Sequence, residues 1–257
     1  MTETEKYLHK TSLLPASTEE LRLALSLIDL TSLEGKDNEE TIKQLCEKAI
    51  KHQTAAVCVY PTLVSIAKKY LKNSKIKVAS VAGAFPSGQL PLNLRLEEVR
   101  FALSEGADEI DMVISRGKFL EGNYQAVSEE ISAFKKVCGR NILKVILETG
   151  ELGSASNIHK AGQLAIDAGA DFLKTSTGKI SVNATLESVG SMLFTIKDSG
   201  KKIGIKPSGG IADADTAVKY LRFTEKMLGK EWLSPALFRF GASRLADNIS
   251  LQLNGKE

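Results

Sequence analysis

Cysteine, histidine and long apolar runs are scarce in this sequence. The chain of 257 residues holds three cysteines, which are too few and too scattered for a disulfide framework. Its three histidines also lie far apart, with no Cys-x-x-Cys or His-x-His spacing, so we expect no histidine-rich metal site. A Mg²⁺ site built from carboxylates stays open on these grounds. No apolar stretch approaches the roughly 18 residues that a membrane span needs, and the polar, acidic N-terminal residues predict no secretory signal, which favours the cytoplasm.

An excess of charge of either sign is also missing. Lys and Arg number 34 against 31 Asp and Glu, which leaves a net charge of +3. This balance argues against a dedicated nucleic-acid-binding protein, and an aromatic content of 6% offers no stacking platform for bases. Hydrophobic residues make up 43% of the chain, which is enough apolar mass for a core and excludes disorder over most of its length.

The chain length and the uniform composition along the sequence predict a single domain. One domain of about 250 residues is unusual for most folds but ordinary for an α/β barrel. No linker, low-complexity segment or second domain interrupts the sequence. We therefore expect one domain over residues 1–257, with an N-terminal extension at 1–17, a short helix over 18–25 and a frayed tail at 254–257.

Short apolar runs alternate with longer amphipathic stretches along the whole chain. Eight of these runs predict strands, at 26–31, 55–60, 76–82, 109–114, 143–148, 171–175, 203–206 and 238–242. Eight βα units of about 30 residues each predict a (β/α)₈ TIM barrel. A doubly wound open sheet shares this alternation, but no Gly-x-Gly-x-x-Gly follows the first strand.

Polar residues near the ends of the predicted strands are the candidates for chemistry, because barrel active sites lie at the C-terminal ends of the strands. Lys174 lies on a strand that we expect to be buried on both faces. An amine inside the barrel mouth loses hydration, which lowers its pKa and leaves a neutral nucleophile available. The alternative is a lysine at a strand end that extends to solvent.

Lys206 ends the next strand along the chain and strengthens the case for Lys174. Adjacent parallel strands run about 4.8 Å apart, so two inward lysines at the same level are neighbours. Two unit charges about 5 Å apart repel by about 3 kcal/mol at an effective dielectric constant near 20, which corresponds to about two pKa units. A second cation is an established means of activating a Schiff-base lysine. A phosphate or carboxylate partner for Lys206 is the alternative.

Two aspartates interrupt apolar strands and therefore call for partners. Asp111 lies in the middle of the fourth strand and Asp29 in the first, and the lysine pair is the obvious partner for both. A carboxylate beside a lysine acts as a general acid or base, or else as a structural ion pair that holds the lysine in place. For Glu148, which ends its strand, a structural role is at least as strongly favoured as a functional one. Lys144 falls at the beginning of its strand, so we place it on the non-catalytic face and interpret it as structural.

The loops after the last three strands have the composition of an anion site. They read Thr-Ser-Thr-Gly-Lys at 175–179, Ser-Gly-Gly at 208–210 and Gly-Ala-Ser at 241–243. Glycines let backbone N–H groups approach an anion closely, and barrels frequently bind phosphate after strands seven and eight. Tight turns also use glycine, but three such loops at one corner favour a phosphorylated substrate.

Cys58 could face the mouth as well; we interpret it as a small buried hydrophobic residue.

These motifs resemble one family, the deoxyribose-phosphate aldolases, over about residues 24–245. The matching segments are Ile-Asp-Leu-Thr at 28–31, Ala-Val-Cys-Val-Tyr-Pro at 56–61, Phe-Pro-Ser-Gly at 85–88, Gly-Ala-Asp-Glu-Ile-Asp at 106–111, Leu-Lys-Val-Ile-Leu-Glu-Thr-Gly-Glu-Leu at 143–152, Asp-Phe-Leu-Lys-Thr-Ser-Thr-Gly-Lys at 171–179, Ile-Lys-Pro-Ser-Gly-Gly at 205–210 and Phe-Arg-Phe-Gly-Ala-Ser at 238–243. The resemblance implies a TIM barrel and a lyase. Its reaction would be the reversible cleavage of 2-deoxy-D-ribose 5-phosphate to acetaldehyde and D-glyceraldehyde 3-phosphate, with no metal or organic cofactor.

The resemblance also implies a role for individual residues. Lys174 matches the Schiff-base lysine and Lys206 the second lysine that lowers its pKa. Asp111 matches the carboxylate that relays protons with a water, and Asp29 an aspartate of the same site. The implied substrate and phosphate contacts are Thr175, Gly178, Lys179, Gly209, Gly210 and Ser243. The implied partners are a phosphorylated sugar and aldehydes, without nucleic acid or membrane, and the resemblance permits a homodimer.

The chain departs from the family pattern at three points. Many relatives carry a basic residue soon after Gly-Gly, where this chain has Ala212, and a second serine after Gly-Ala-Ser, where it has Arg244. Our hypothesis is that Arg244 supplies the phosphate charge that is lost at Ala212. Some relatives end in a tyrosine that helps proton transfer, but no tyrosine follows Tyr220 here. The rival interpretations are another lysine-dependent sugar-phosphate aldolase or transaldolase-like barrel, and a non-catalytic barrel that binds sugar phosphates.

Overall fold

The computed structural model describes residues 15–255, in which eight parallel strands form one sheet. The strands are β1 (Ile28–Thr31), β2 (Ala56–Val59), β3 (Lys77–Val81), β4 (Glu109–Val113), β5 (Ile142–Ile146), β6 (Phe172–Lys174), β7 (Gly204–Lys206) and β8 (Phe240–Ala242). Strands β1 to β7 pair in chain order and β8 pairs with β1. Bridges between Ile205 and Phe238 and between Ser208 and Gly241 connect β7 to β8. The sheet is therefore a closed TIM barrel, which confirms the predicted fold and rules out the open doubly wound sheet.

Ten helices accompany the strands within residues 15–255. They are α1 (Thr18–Ser26), α2 (Glu39–His52), α3 (Val64–Leu71), α4 (Leu92–Ser104), α5 (Arg116–Leu120), α6 (Tyr124–Cys138), α7 (Ala155–Asp167), α8 (Leu186–Ser199), α9 (Ala214–Leu228) and α10 (Leu245–Asn254). Side-chain caps explain several starts: Ser17, Asn38 and Thr185 each accept a hydrogen bond from a backbone N–H of the first turn of their helix. No helix in this described part is long and apolar enough to cross a membrane.

The predicted strand limits differ from the observed ones by at most two residues. The first strand begins at Ile28 rather than at residue 26, because α1 continues to Ser26 and Leu27 closes that helix with its backbone N–H. The sixth strand begins at Phe172, one residue after the predicted start, although the Asp171 backbone still donates to the Leu143 carbonyl and accepts from the Gly204 N–H, both at 2.9 Å. Of the predicted extension and tail, residues 1–14 and 256–257 lie outside the described part, and α10 reaches Asn254.

Strand alternation divides the buried residues into an outer and an inner set. On β4, Ile110 and Met112 join the large apolar core between sheet and helices, while Glu109 and Asp111 point the other way, into the barrel. The outer core closes the barrel with apolar packing, which at about 25 cal/mol per Å² of buried apolar surface is the main stabilising term. The barrel interior is partly apolar, around Cys58, and it also holds buried charged side chains such as Asp29, Asp111 and Lys144.

Candidate active site

A cavity of about 360 Å³ opens at the C-terminal mouth of the barrel. The ends of β1, β6, β7 and β8 and the loops that follow them form its wall. From β6 itself, Lys174 lines the cavity. Its lining residues are Thr31, Ser32, Leu33, Glu34, Lys174, Thr177, Gly178, Lys179, Ser208, Gly209, Gly210, Ile211, Ala212, Gly241, Ala242, Ser243 and Arg244. The cavity therefore lies where barrel enzymes hold their substrates, with one amine at its base.

The two predicted lysines meet at a single carboxylate. Lys174 and Lys206 are register partners on β6 and β7, as strand alternation predicts. The Nζ atoms of both lysines lie 2.7 Å from Oδ2 of Asp111 and donate hydrogen bonds to it. All three side chains are at least 97% buried. A nucleophile, a second cation and a carboxylate thus stand in direct contact, which is the arrangement that amine catalysis requires.

Asp29 lies on the far side of Lys206 from Lys174. Its Oδ2 accepts a hydrogen bond from Lys206 at 2.5 Å, and its Oδ1 accepts one from Arg239 at 2.6 Å. Asp29 is completely buried and lies outside the cavity lining. The structure thus brings Asp29 into the same cluster as Asp111, but in contact with Lys206 rather than with Lys174.

Our placement of Lys144 on the non-catalytic face was wrong. Lys144 lies in the middle of β5 as the register partner of Asp111, because β5 begins one residue earlier than predicted. Its Nζ is completely buried in the barrel and lies 2.9 Å from Oδ1 of Asp111 and 2.5 Å from Glu109. Lys144 therefore belongs to the same charged layer as the proposed catalytic groups.

The sequence analysis overlooked two further members of this layer, Glu109 and Arg239. The Arg239 guanidinium lies 2.8 Å from Glu109 Oε1 and 2.6 Å from Asp29, and both partners are buried. The sequence contains a feature that indicates each of these two residues. Glu109 precedes Asp111 by two positions, which puts both on one face of the strand, and Arg239 interrupts the apolar run predicted as the eighth strand.

The electrostatic environment shifts the pKa values of the three buried lysines in different directions. Burial, aided by the charge of Lys206, lowers the pKa of Lys174 below its ordinary value, although Asp111 acts in the opposite direction. Burial also opposes the charge of Lys206, but there Asp111 and Asp29 prevail and the pKa is raised. The same balance, with Asp111 and Glu109 as the main partners, raises the pKa of Lys144. Burial favours the neutral form of Asp111, but the surrounding lysines hold its pKa well below the ordinary value. Lys174 is thus the lysine of the cluster that loses its proton most readily.

The glycine-rich loops expose backbone N–H groups at the cavity wall. Gly178, Gly209 and Gly210 have φ angles of +80°, +80° and +76°, and a Cβ atom at Gly209 would stand 2.4 Å from Oδ1 of Asn183. Within residues 15–255, no hydrogen bond uses the backbone N–H of Gly178, Gly210 or Ser243. These donors, side by side at one wall of the cavity, fit an anion such as a phosphate.

Thr175, which we predicted as a substrate contact, does not line the cavity. Its hydroxyl donates to the carbonyl of Ser208 at 3.1 Å and accepts from the Ser208 N–H at 2.9 Å, and the residue is completely buried. Thr175 therefore joins the loop after β6 to the loop after β7 instead of facing a ligand.

Glu148 anchors the loop after β6. Its carboxylate accepts hydrogen bonds from the backbone N–H of Thr177 at 3.1 Å and from the Thr177 hydroxyl at 2.5 Å. It is completely buried, and its φ of +56° lies in the left-handed region that non-glycine residues rarely adopt. The Arg116 guanidinium lies 3.6 Å from it. Glu148 thus orients the residue next to Gly178, which agrees with the structural interpretation.

The two predicted basic contacts differ in their surroundings. Lys179 donates to the carbonyl of Leu33 at 2.7 Å and to Glu34 at 3.1 Å, so it connects the loops after β6 and β1 across the mouth. Arg244 is exposed, lines the cavity near Ala212 and forms no ion pair with any residue between 15 and 255.

Cys58 packs with Ala79 and Val81 inside the barrel, and burial raises its thiol pKa.

Known proteins of one family are similar to this chain. The family model for "DeoC/LacD family aldolase" matches residues 23–243. The chain is 47% identical to a deoxyribose-phosphate aldolase from Homo sapiens over 252 residues, which covers 90% of this chain and 79% of the human protein. It is 45% identical over 239 residues to a protein of the same name from Agrobacterium fabrum, with 91% and 92% covered. The solved tetrameric deoxyribose phosphate aldolase from Aeropyrum pernix superposes with a TM-score of 0.78 at 26% identity, over 98% of this chain and 99% of that one. The chain belongs to the DeoC/LacD aldolase family.

Proposed function

We propose that this protein is a deoxyribose-phosphate aldolase, a lyase that reversibly cleaves 2-deoxy-D-ribose 5-phosphate to acetaldehyde and D-glyceraldehyde 3-phosphate. The observation that carries the proposal is the position of Lys174, a buried lysine with a lowered pKa at the base of the mouth cavity, 2.7 Å from Asp111. Relatives at 45–47% identity that bear this name support the choice of substrate. The reaction belongs to the breakdown of deoxyribose and deoxynucleosides.

The first half of the mechanism makes an electron sink. Neutral Lys174 adds to the C1 aldehyde of the open-chain sugar. The carbinolamine that results takes up one proton on its hydroxyl and loses water, which leaves a protonated iminium. Its positive charge withdraws electrons from C2. When the C3 hydroxyl gives up its proton, the C2–C3 bond breaks, its electron pair passes into the iminium, and glyceraldehyde 3-phosphate leaves with an aldehyde at the former C3.

The second half returns the enzyme to its starting state. The remaining enamine takes up a proton at the former C2 and becomes an iminium again, and water then hydrolyses it to acetaldehyde and free Lys174. Asp111 is the proton carrier in this scheme, acting with a water, because its carboxylate contacts both Lys174 and Lys206. Lys206 and Asp29 stabilise the charges around it. These roles rest on contact and on the chemistry of the groups.

The phosphate group would lie against the glycine-rich wall. The proposed contacts are the N–H groups of Gly178, Gly210 and Ser243, together with the charges of Lys179 and Arg244. The Gly209 N–H is a fourth proposed contact, but it donates to the Gly241 carbonyl at 3.4 Å and would have to exchange that bond for the phosphate. Lys179 would have to exchange its bond to Glu34 for the phosphate. This wall faces the same cavity as Lys174, so one sugar phosphate can contact both.

Reductive trapping tests the proposal. The protein is mixed with 2-deoxyribose 5-phosphate and borohydride, and the labelled peptide is identified by mass spectrometry. We expect an adduct on Lys174 that is absent in Lys174→Leu. An adduct on Lys206 or Lys144 would preserve the reaction class and overturn the assignment of roles. No adduct on the folded protein would contradict an aldolase and favour a barrel that only binds sugar phosphates. Comparing acetaldehyde with dihydroxyacetone as donor separates this activity from that of transaldolase-like enzymes.

Four further properties complete the proposal. The chain acts as one catalytic domain over residues 1–257, works without a metal or organic cofactor, resides in the cytoplasm and forms a homodimer. Limited proteolysis, a chelator assay, cell fractionation and light scattering test these in turn. A tetramer, which is the state named for the Aeropyrum pernix protein, would correct the last point.

A further inference from the structure

Seven ionisable side chains form one connected cluster inside the barrel, which we call the interior charge cluster. Its members are Asp29, Glu109, Asp111, Lys144, Lys174, Lys206 and Arg239, and each is at least 97% buried. Ion pairs no longer than 3.5 Å connect all seven. The cluster contains four bases and three acids. With every group ionised it would carry one positive charge in excess, which is unfavourable for groups that are this deeply buried.

The contacts identify the base with the fewest anionic partners. Lys144 meets three carboxylates, whereas Lys206 and Arg239 meet two each. Lys174 meets only Asp111, and it alone of the seven borders the mouth cavity. Deprotonation of Lys174 leaves three cations facing three anions. The reactive form of the lysine is therefore also the charge-balanced form of the cluster.

This count gives a function to the two residues that lie farthest from the cavity. Arg239 and Glu109 form an ion pair beneath Asp29 and Asp111, and neither lines the mouth cavity. Without the charge of Arg239, three bases would face three acids, and the cluster would be balanced only with Lys174 protonated. Without the charge of Glu109, four bases would face two acids, and protonated Lys174 would be disfavoured still more.

We propose that Arg239 and Glu109 are positioning residues that set the protonation state of Lys174 from below, through the charge balance of the interior cluster. The inference rests on the proposed function, in which Lys174 is the nucleophile. Under this proposal, the protonation state of Lys174 depends not only on Lys206 but also on Arg239 and Glu109, which contact neither Lys174 nor the mouth cavity.

Groups from the other strands complete the surroundings of Lys174. Asp29 on β1, Asp111 on β4, Lys144 on β5 and Lys206 on β7 belong to the cluster already counted. The remaining titratable group is the buried Cys58 thiol on β2, whose pKa burial raises, so it stays neutral. The inward residues of β3 near this level are Ala79 and Val81, which carry no charge.

Four variants test the balance. Glu109→Gln removes one anion without a change in side-chain length, and Arg239→Met removes one cation and leaves a shorter, unbranched apolar side chain. The double variant Glu109→Gln/Arg239→Met restores an excess of one base. Arg239→Lys retains the charge in another shape. Circular dichroism and the unfolding temperature establish that each variant is folded before it is assayed.

The measured quantity is the rate of adduct formation on Lys174 as a function of pH, with acetaldehyde and cyanoborohydride as the trap. For Arg239→Met we expect the midpoint of the acid limb to rise by about one pH unit, the effect of a unit charge roughly 10 Å away at an effective dielectric constant near 20. For Glu109→Gln we expect a fall of similar size. The double variant and Arg239→Lys should return towards the midpoint of the unaltered protein.

The possible outcomes distinguish a failure of the role proposed for Arg239 and Glu109 from a failure of the proposed aldolase function. Opposite shifts in the single variants with recovery in the double variant would support it, because a purely structural role would reduce stability and leave the midpoint in place. Folded variants whose midpoints do not move, or move in the same direction, would overturn it while leaving the aldolase proposal intact. If the unaltered protein forms no adduct on Lys174, the proposed function fails first, and the inference fails with it.

Discussion

Lys174 and Lys206 occupy paired positions on neighbouring strands, but only Lys174 borders the cavity. Both donate to the same oxygen of Asp111, and Lys206 has Asp29 as a second partner. Asp111 together with this additional carboxylate raises the pKa of Lys206, whereas the pKa of Lys174 is lowered by burial and by the charge of Lys206. Two chemically identical side chains thus become a nucleophile and a fixed cation through one difference in contacts.

Removing the fixed cation should make the enzyme require a higher pH. The reaction needs neutral Lys174, so its rate falls as the pH drops through the pKa of that lysine. Lys206→Met removes the repulsion that favours the neutral amine and leaves Asp111 with Lys174 and Lys144 as its partners. We therefore expect the acid limb of kcat/KM to move upward by about two pH units. Lys206→Arg, which retains the charge, should move it far less. An unchanged limb in folded Lys206→Met would contradict the role assigned to Lys206.

Asp111→Asn should separate Schiff-base formation from proton transfer. The amide cannot carry a proton between enamine and water, so we expect kcat to fall by about 100-fold or more. Exchange of the acetaldehyde methyl protons with D₂O, followed by NMR, should fall in parallel, whereas borohydride trapping on Lys174 should still occur. Equal loss of trapping and exchange would show instead that Asp111 only supports the position of Lys174.

Arg244→Ala tests the compensation for Ala212. Arg244 is exposed at the cavity wall, where its charge can meet a phosphate. Loss of one charge-assisted contact should raise KM for 2-deoxyribose 5-phosphate by about tenfold, with kcat little changed. Arg244→Lys should recover part of the loss, and KM for unphosphorylated 2-deoxyribose should not respond. An unchanged KM for the phosphorylated sugar would refute the hypothesis.

Chelation should have no effect on turnover. The proposed chemistry takes its electron sink from the iminium and its proton carrier from Asp111. Dialysis against EDTA should therefore leave the rate of 2-deoxyribose 5-phosphate cleavage unchanged, and added Mg²⁺ or Zn²⁺ should not increase it. A loss of activity that one of these ions restores would overturn the prediction.

Glu20 should contribute a pH-dependent part of the stability. Hydrogen bonds from Arg222, opposed by partial burial, lower its pKa to about 2. Because the folded-state pKa lies below the unfolded value, the contribution is complete above about pH 4.5 and is lost as the pH falls through about 2. Glu20→Gln should lower Tm by about 3 °C at pH 7, allowing for solvent screening, and by less near pH 2. Exposed Glu19 offers the matched control, Glu19→Gln, and an equal effect of both variants would speak against the ion pair.

The barrel and the upper part of the site could be predicted from local patterns. The eight apolar runs and the alternation of Phe172 and Lys174 depend only on neighbours in the chain, and strand pairing in chain order then sets Lys174 beside Lys206. The glycine loops were predictable for the same reason, since each follows its strand directly. The place of Thr175 was not, because its hydroxyl binds the backbone of Ser208, 33 residues away.

The charged layer beneath the site depends on closure of the barrel. Arg239 meets Glu109 and Asp29 across 130 and 210 residues of chain, and Lys144 meets Asp111 because the two are register partners on β5 and β4. Sequence patterns specify which residues point inward, because alternation is a local property of a strand. Which inward charges share a partner, and which lysine is left with only one, is decided by the packing of eight strands around a common axis, where burial makes an unpaired charge costly.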